Sequence, residues 1–151
     1  MNVSEAVRTA IFQTISPVIY KGVEIPVYDE IVNTLVPVAV VGKVATCYVI
    51  LQDYQDTLAG VQTMCNEDIT ANITIRVVTK FATASVATKR DSERIADIIS
   101  KKLRSGRDTL LTSPNINIKS VKLPINRQQI EVGGANVAFS QIMIYEILLN
   151  S

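Results

Sequence analysis

Four carboxylates, Asp53, Asp56, Glu67 and Asp68, are where this chain comes closest to chemistry. Asp53 and Asp56 offer the oxygen ligands that a hard cation takes, and Glu67-Asp68 follow in the same polar stretch. Two-metal nucleases use such acids, but there the acids project from strand ends into a pocket. The spacing here is that of an ordinary polar loop, so neither a metal nor a cofactor is expected.

Other arrangements fall away for want of partners. Histidine is absent, so a Ser-His-Asp triad cannot form however many serines and threonines are present. Cys47 and Cys65 do not have C-x-x-C spacing, and two thiolates without histidine cannot complete a tetrahedral zinc site. Both cysteines read as small buried hydrophobes. Gly133-Gly134 lies between two strand signals, whereas a phosphate loop needs a helix N-terminus, so a hairpin turn is expected there. Arg104-Ser105-Gly106-Arg107 has no aromatic platform beside it and reads as a helix end. No catalytic residue is assigned, and the chain is expected not to be an enzyme.

The elements that carry these side chains follow from length and pattern. With 151 residues the chain fits one domain, 1–151. Hydrophobic residues are 48% and aromatics 5%, which predicts an aliphatic core and favours sheet. Charged residues are 19%, against ~25% in ordinary soluble domains. With a mean hydropathy of +0.25, this implies either a large core or apolar surface covered by other subunits. A net charge of +1 lacks the basic excess of a dedicated DNA binder. The first residues carry no secretion signal, and Leu35 to Val44, the most apolar stretch, is too short to span a bilayer. A soluble protein that starts in a cytoplasm is expected.

Residues 2–16 predict a helix, with Asn2 and Glu5 as a capping pair and Val3, Val7, Ala10, Ile11 and Ile15 on one face. Pro17 stops it. Residues 18–28 predict a hairpin turning at Lys21-Gly22, with Pro26 at an edge. Ala45 to Leu51 predicts a buried strand feeding a loop from Gln52 to Asp68. Asn72 to Lys80 alternates cleanly as a strand. A charged helix is predicted over 88–104, capped by Thr88 or Ser85 and ended by Gly106, with Ile95, Ile98, Ile99 and Leu103 buried. Leu110 to Leu123 and Gln128 to Val132 predict two strands. Val137 to Leu149, apolar on both faces in its second half, predicts a central strand. Ile73, Ile75, Val77, Ile95, Ile99, Leu103, Ile144 and Tyr145 are the expected core. The fold class is α+β: a largely antiparallel β-sheet with two helices packed on one face.

This series resembles the tail-completion or tail-terminator (head–tail joining) proteins of long-tailed bacteriophages. The matching features are the N-terminal helix, Ile-Pro-Val-Tyr at Ile25 to Tyr28 and Tyr-Val-Ile-Leu at Tyr48 to Leu51. They continue through Asp53, Asp56 and Thr57, Ile-Thr-Ile-Arg-Val-Val at Ile73 to Val78, and Ser-Glu-Arg-Ile-Ala-Asp-Ile-Ile at Ser92 to Ile99. Arg127 to Gln129 and the Gly-Gly turn match only in outline. The resemblance implies a structural protein of the virion neck, assembled in the host cytoplasm as a ring of its own copies, typically a hexamer. Such a ring caps the tail tube, ends its polymerisation and meets a head-side connector or stopper protein. DNA passes through its lumen without specific binding, and no membrane is involved.

The expected partner contact is the loop from Gln52 to Asp68. Tyr54, Leu58, Val61 and Met64 would supply its apolar centre, and Asp53, Asp56 and Glu67 its rim. Two other classes stay open. A nucleic-acid-binding or other assembly module would gather Lys21, Lys43, Arg104, Arg107 and Lys122 on one face, and a small metal-dependent enzyme would gather acids in a pocket.

Overall fold

Alternation builds the middle of the molecule. In the computed structural model, which describes residues 3–29, 39–41, 44–58, 68–83, 85, 87–105, 117–133 and 136–150, two long strands form its centre. β6 (Asp68–Phe81) buries Ala71, Ile73, Ile75 and Val77 on one face. β8 (Asn136–Asn150) does the same with Val137, Phe139, Met143, Tyr145, Ile147 and Leu149. They pair antiparallel with Ile73 opposite Tyr145 and Ile75 opposite Met143, so odd-numbered side chains share a face. Ile144 is the exception among the expected core residues. It lies opposite Thr74 on the other face and is half-buried.

The sheet extends on both sides of this pair. β5 (Val44–Leu58) runs antiparallel along β6, and β7 (Asn117–Gly133) runs antiparallel along β8 as the far edge. Two short strands, β3 (Val27–Tyr28) and β4 (Ala39–Val41), both border β5; β3 is parallel to it and β4 antiparallel. The sheet is therefore largely antiparallel. A separate hairpin joins β1 (Val18–Tyr20) to β2 (Val23–Ile25), with Val18 opposite Ile25. Its turn residues Lys21 and Gly22 both have positive φ, 49° and 77°, the type I′ form whose twist suits paired strands.

Two helices cover the odd face, as α+β packing requires. α1 (Val3–Ile15) buries Val7, Ile11 and Ile15 against β5 and the second helix. That helix, α2 (Arg90–Ser105), buries Ile95, Ala96, Ile99 and Leu103 against β6 and β8. Thr88 Oγ1 accepts a hydrogen bond from the Arg90 amide at 3.2 Å, as the capping expectation required. Lys102 Nζ donates to the Ile15 carbonyl at 3.2 Å and to the Pro17 carbonyl, tying the last turn of α2 to the open end of α1.

Three expectations are corrected. From Gln52 to Leu58 the chain is strand and not loop, while residues 59–67 of the expected loop lie outside the described residues. β5 continues to Leu58, pairing Gln52 with Thr74 and Leu58 with Ile69, with a register shift between Gln52 and Tyr54. Ala45 to Leu51 is covered on one face only: Cys47, Val49 and Leu51 are buried, while Thr46, Tyr48 and Ile50 are half-buried. The two strands expected between Leu110 and Val132 are one strand, β7, with register shifts at Ile118/Ser120 and Lys122/Ile125. Residues 110–116, Gly106, Cys65 and the turn residues Gly134-Ala135 lie outside the described residues.

Ile99 is fully buried at the centre of the α2–sheet contact. Ile99→Ala should cost ~2–5 kcal/mol, the range for a buried aliphatic truncation, as measured by denaturant unfolding. A loss below ~0.5 kcal/mol, typical of surface sites, would place that helix face on solvent.

Candidate subunit interface

Most of the residues with chemical potential are sequestered or dispersed. Asp53 and Asp56 stand in the distal half of β5 with Tyr54 and Leu58, and Asp68 opens β6. Val61, Met64 and Glu67 lie outside the described residues. Among the described residues no group of three acids, cysteines or histidines is placed to hold a metal ion. Cys47 is buried, and burial, with a smaller contribution from the Asp91 charge, pushes its thiol up to about 12. Such a thiol stays protonated and inert at neutral pH.

The most connected polar group is a latch at the start of α2. Tyr20 Oη donates to Asp91 Oδ1 at 2.6 Å, and Lys21 Nζ stands 3.7 Å from the same oxygen. Burial, seconded by the Asp91 bond, raises the Tyr20 hydroxyl above its ordinary value. Ser92 Oγ donates to the Lys89 carbonyl and accepts from Gln128 Nε2 at 3.0 Å. The hairpin, α2 and β7 are thus joined at one place. A carboxylate held by a phenol and an ammonium is positioned as structure.

A cleft of about 290 Å³ opens between the end of α2 and β7, lined by Ser100, Leu103, Arg104, Val121, Lys122, Leu123 and Tyr145. Ser100 and Tyr145 share a hydroxyl hydrogen bond of 2.8 Å. Burial raises the Tyr145 hydroxyl, while the Ser100 bond and Arg104 pull it back. Of the five cations that a nucleic-acid face would need, only Arg104 and Lys122 meet here. Lys21 is engaged with Asp91 at the hairpin, and Lys43 and Arg107 lie outside the described residues.

The sheet face opposite α1 and α2 is dressed by its own long side chains. Arg76 Nη2 reaches Ser140 Oγ at 3.0 Å and Glu131 Oε1 at 3.4 Å, and Lys80 Nζ lies 5.8 Å from the centre of the Tyr48 ring. Val78, Ser140 and Ile142 on this face are buried.

The apolar surface collects instead at the flanks of the sheet. Among the described residues seven large hydrophobics stand exposed, and four of them, Leu123, Ile125, Ile130 and Val132, are on β7. Two more, Ile19 in the hairpin and Val40 in β4, stand at the opposite flank, where β2 meets β4. Sequence reasoning missed this distribution. The signal was present in the apolar–polar alternation from Gln129 to Val132, but a pattern that predicts a covered face does not reveal that the cover is missing.

No family model matches the chain, and no curated protein does. Among solved structures, it is similar over 97% of its length to 94% of a chain in "Virion of native gene transfer agent (GTA) particle", with a TM-score of 0.46 and 11% identity. That score is too low for the likeness to carry functional weight. Among the described residues no helix is long and apolar enough to cross a membrane.

The raised Cys47 thiol fixes a pH response. The unfolded thiol ionises near 9.0 and the folded one near 12, so between them the folded state holds a proton that the unfolded state has lost. Stability is fully present below pH 9 and should fall as pH rises, by ~1.4 kcal/mol per unit from this group. Tyr20 and Tyr145 add to the loss above 10.0, their ordinary value. In urea melts across this window, Cys47→Ala should flatten the slope between pH 9 and 10. An unchanged slope would contradict the assignment.

Proposed function

We propose that this chain is a structural, non-enzymatic subunit of a phage-type virion neck, a ring of its own copies that caps a tail tube. The ring ends tube polymerisation and offers its other face to a head-side connector, with DNA passing through the lumen. The observation that carries this reading is the exposed aliphatic surface at two places, on the edge strand β7 and at β4 with the adjoining hairpin. A subunit with two different sticky flanks joins head to tail, and such heterologous contacts close into rings when the rotation permits. The order of elements and the motifs from Ile25 to Ile99 support the same family. The absence of a convergent nucleophile and base among the described residues is compatible with a structural role. We assign the tube- or connector-facing contact to the distal half of β5, with Asp53, Tyr54, Asp56 and Leu58, and to the segment after it, with Val61, Met64 and Glu67.

Light scattering on size-exclusion peaks, with negative-stain imaging, should show a closed ring of one size. Added to polymerising tail-tube protein, the ring should limit tube length. A monomer at every concentration would overturn the ring, and strongly salt-dependent DNA affinity would favour a nucleic-acid-binding module instead. A thermal melt should not shift with divalent cations, because a cation bound only by the folded state would stabilise it. Replacing residues 59–67 with a Gly-Ser linker, which spares the β5–β6 ladder, should leave rings intact but abolish tail termination.

A further inference from the structure

β7 is an edge strand protected along only half its length. An open edge is a template for another chain, and proteins blunt such edges with lysines, prolines and bulges. The first half of β7 has all three: Lys122, Pro124 and both register shifts lie between Ile118 and Ile125. From Ile125 to Gly133 the ladder with β8 is unbroken, and among the described residues no strand pairs with the outer edge. Every residue of that stretch except the half-buried Gln128 is exposed. Its far end borders a cleft of about 460 Å³ beside Val132.

The charges of this stretch are placed symmetrically. Gln129 is its middle residue, with Arg127 two positions before and Glu131 two after. All three share the face away from the helices: they lie opposite Ile142, Ser140 and Ala138 of β8, where Arg76 reaches Ser140 and Glu131. The Glu131 side chain is 59% exposed and stands 3.4 Å from Arg76, so its carboxylate has room for a second donor. Turned antiparallel on itself about Gln129, the strand sets Arg127 directly across from Glu131 twice. Opposite charges facing each other across a ladder stabilise it, and like charges destabilise it. A slip of two residues either way leaves both charges facing uncharged residues. A slip of four sets Arg127 against Arg127 or Glu131 against Glu131. One register is therefore favoured.

We infer that residues 125–133 pair antiparallel with the same residues of a second copy, about a twofold axis through Gln129. Arg127 of each copy then meets Glu131 of the other. The occupant is a second copy because the stretch carries both halves of the charge match, and a twofold contact brings each half to its complement. The sheet runs on through both copies, with the helices of both on one side. This pair goes beyond the ring reading, because it occupies the edge that head-to-tail joining through β7 would use. It is an association outside the ring, favoured by mass action at low concentration.

The test uses the full chain with Cys65→Ala, which leaves only the buried Cys47. On that background Gln129→Cys should link to itself under mild oxidation and run as a dimer on a non-reducing gel, because directly opposed residues lie within disulfide reach. Arg127→Cys should not link to itself, but should link to Glu131→Cys when the two are mixed. Separately, Arg127→Glu and Glu131→Arg should each weaken self-association about tenfold or more in sedimentation, since like charges then face each other. A one-to-one mixture of the two should recover it, because acid again meets base at both ends. No Gln129→Cys dimer, or a mixture no tighter than its components, overturns the pairing. Rings that form without the cross-link leave the ring standing and the pairing rejected, and a cross-linked dimer without rings does the reverse.

Discussion

Burial of one face of the β6–β8 pair beneath α2 is the contact on which the other elements depend. Ile73, Ile75, Met143, Tyr145, Ile95 and Ile99 meet there, and all are buried. Each side chain of this kind contributes ~1.5–3 kcal/mol by leaving water. α1 covers β5 only because α2 already occupies the centre. Lys102 then fixes the relation between the helices by capping α1 from the last turn of α2. β5 and β7 add to a ladder that the central pair has already set in register.

The latch at Asp91 turns this packing into a defined arrangement of the flanks. Aliphatic contacts tolerate sliding, whereas the Tyr20–Asp91 and Gln128–Ser92 bonds hold only at one relative position. Through them the hairpin and β7 are both referred to the first turn of α2. A subunit that joins its neighbours through those two flanks needs that rigidity, because a small error in the angle between them prevents a ring from closing.

Legibility in the sequence followed how far the core constrains each residue. The alternation of Ile73, Ile75 and Val77, the helical stripe of α2 and the Lys21-Gly22 turn all report burial or backbone need, and each was read correctly. Gln52 to Leu58 was misread because a run rich in polar residues carries little β-propensity, yet its backbone ladder with β6 continues. β7 runs through Pro124 as one strand: a proline costs an edge strand little when the missing amide would face solvent, and the register shift at Lys122/Ile125 absorbs it. The exposed aliphatics of β7 were not foreseen for a related reason: their exposure depends on which strand is the edge, and topology decides that.

The asymmetry of β7 also bears on how such a subunit avoids premature assembly. Its net charge is only +1, so long-range repulsion between copies is weak. Protection must then be local. Lys122, Pro124 and the two register shifts spoil half of the edge for indiscriminate strand pairing. The unspoiled half is short and carries isolated aliphatics rather than a long flat apolar run, so a stray strand gains little from it. A partner shaped to fill the cleft by Val132 gains more. Selectivity in such a surface comes from dividing the edge into a spoiled half and a shaped half, and that division is written in β7 itself.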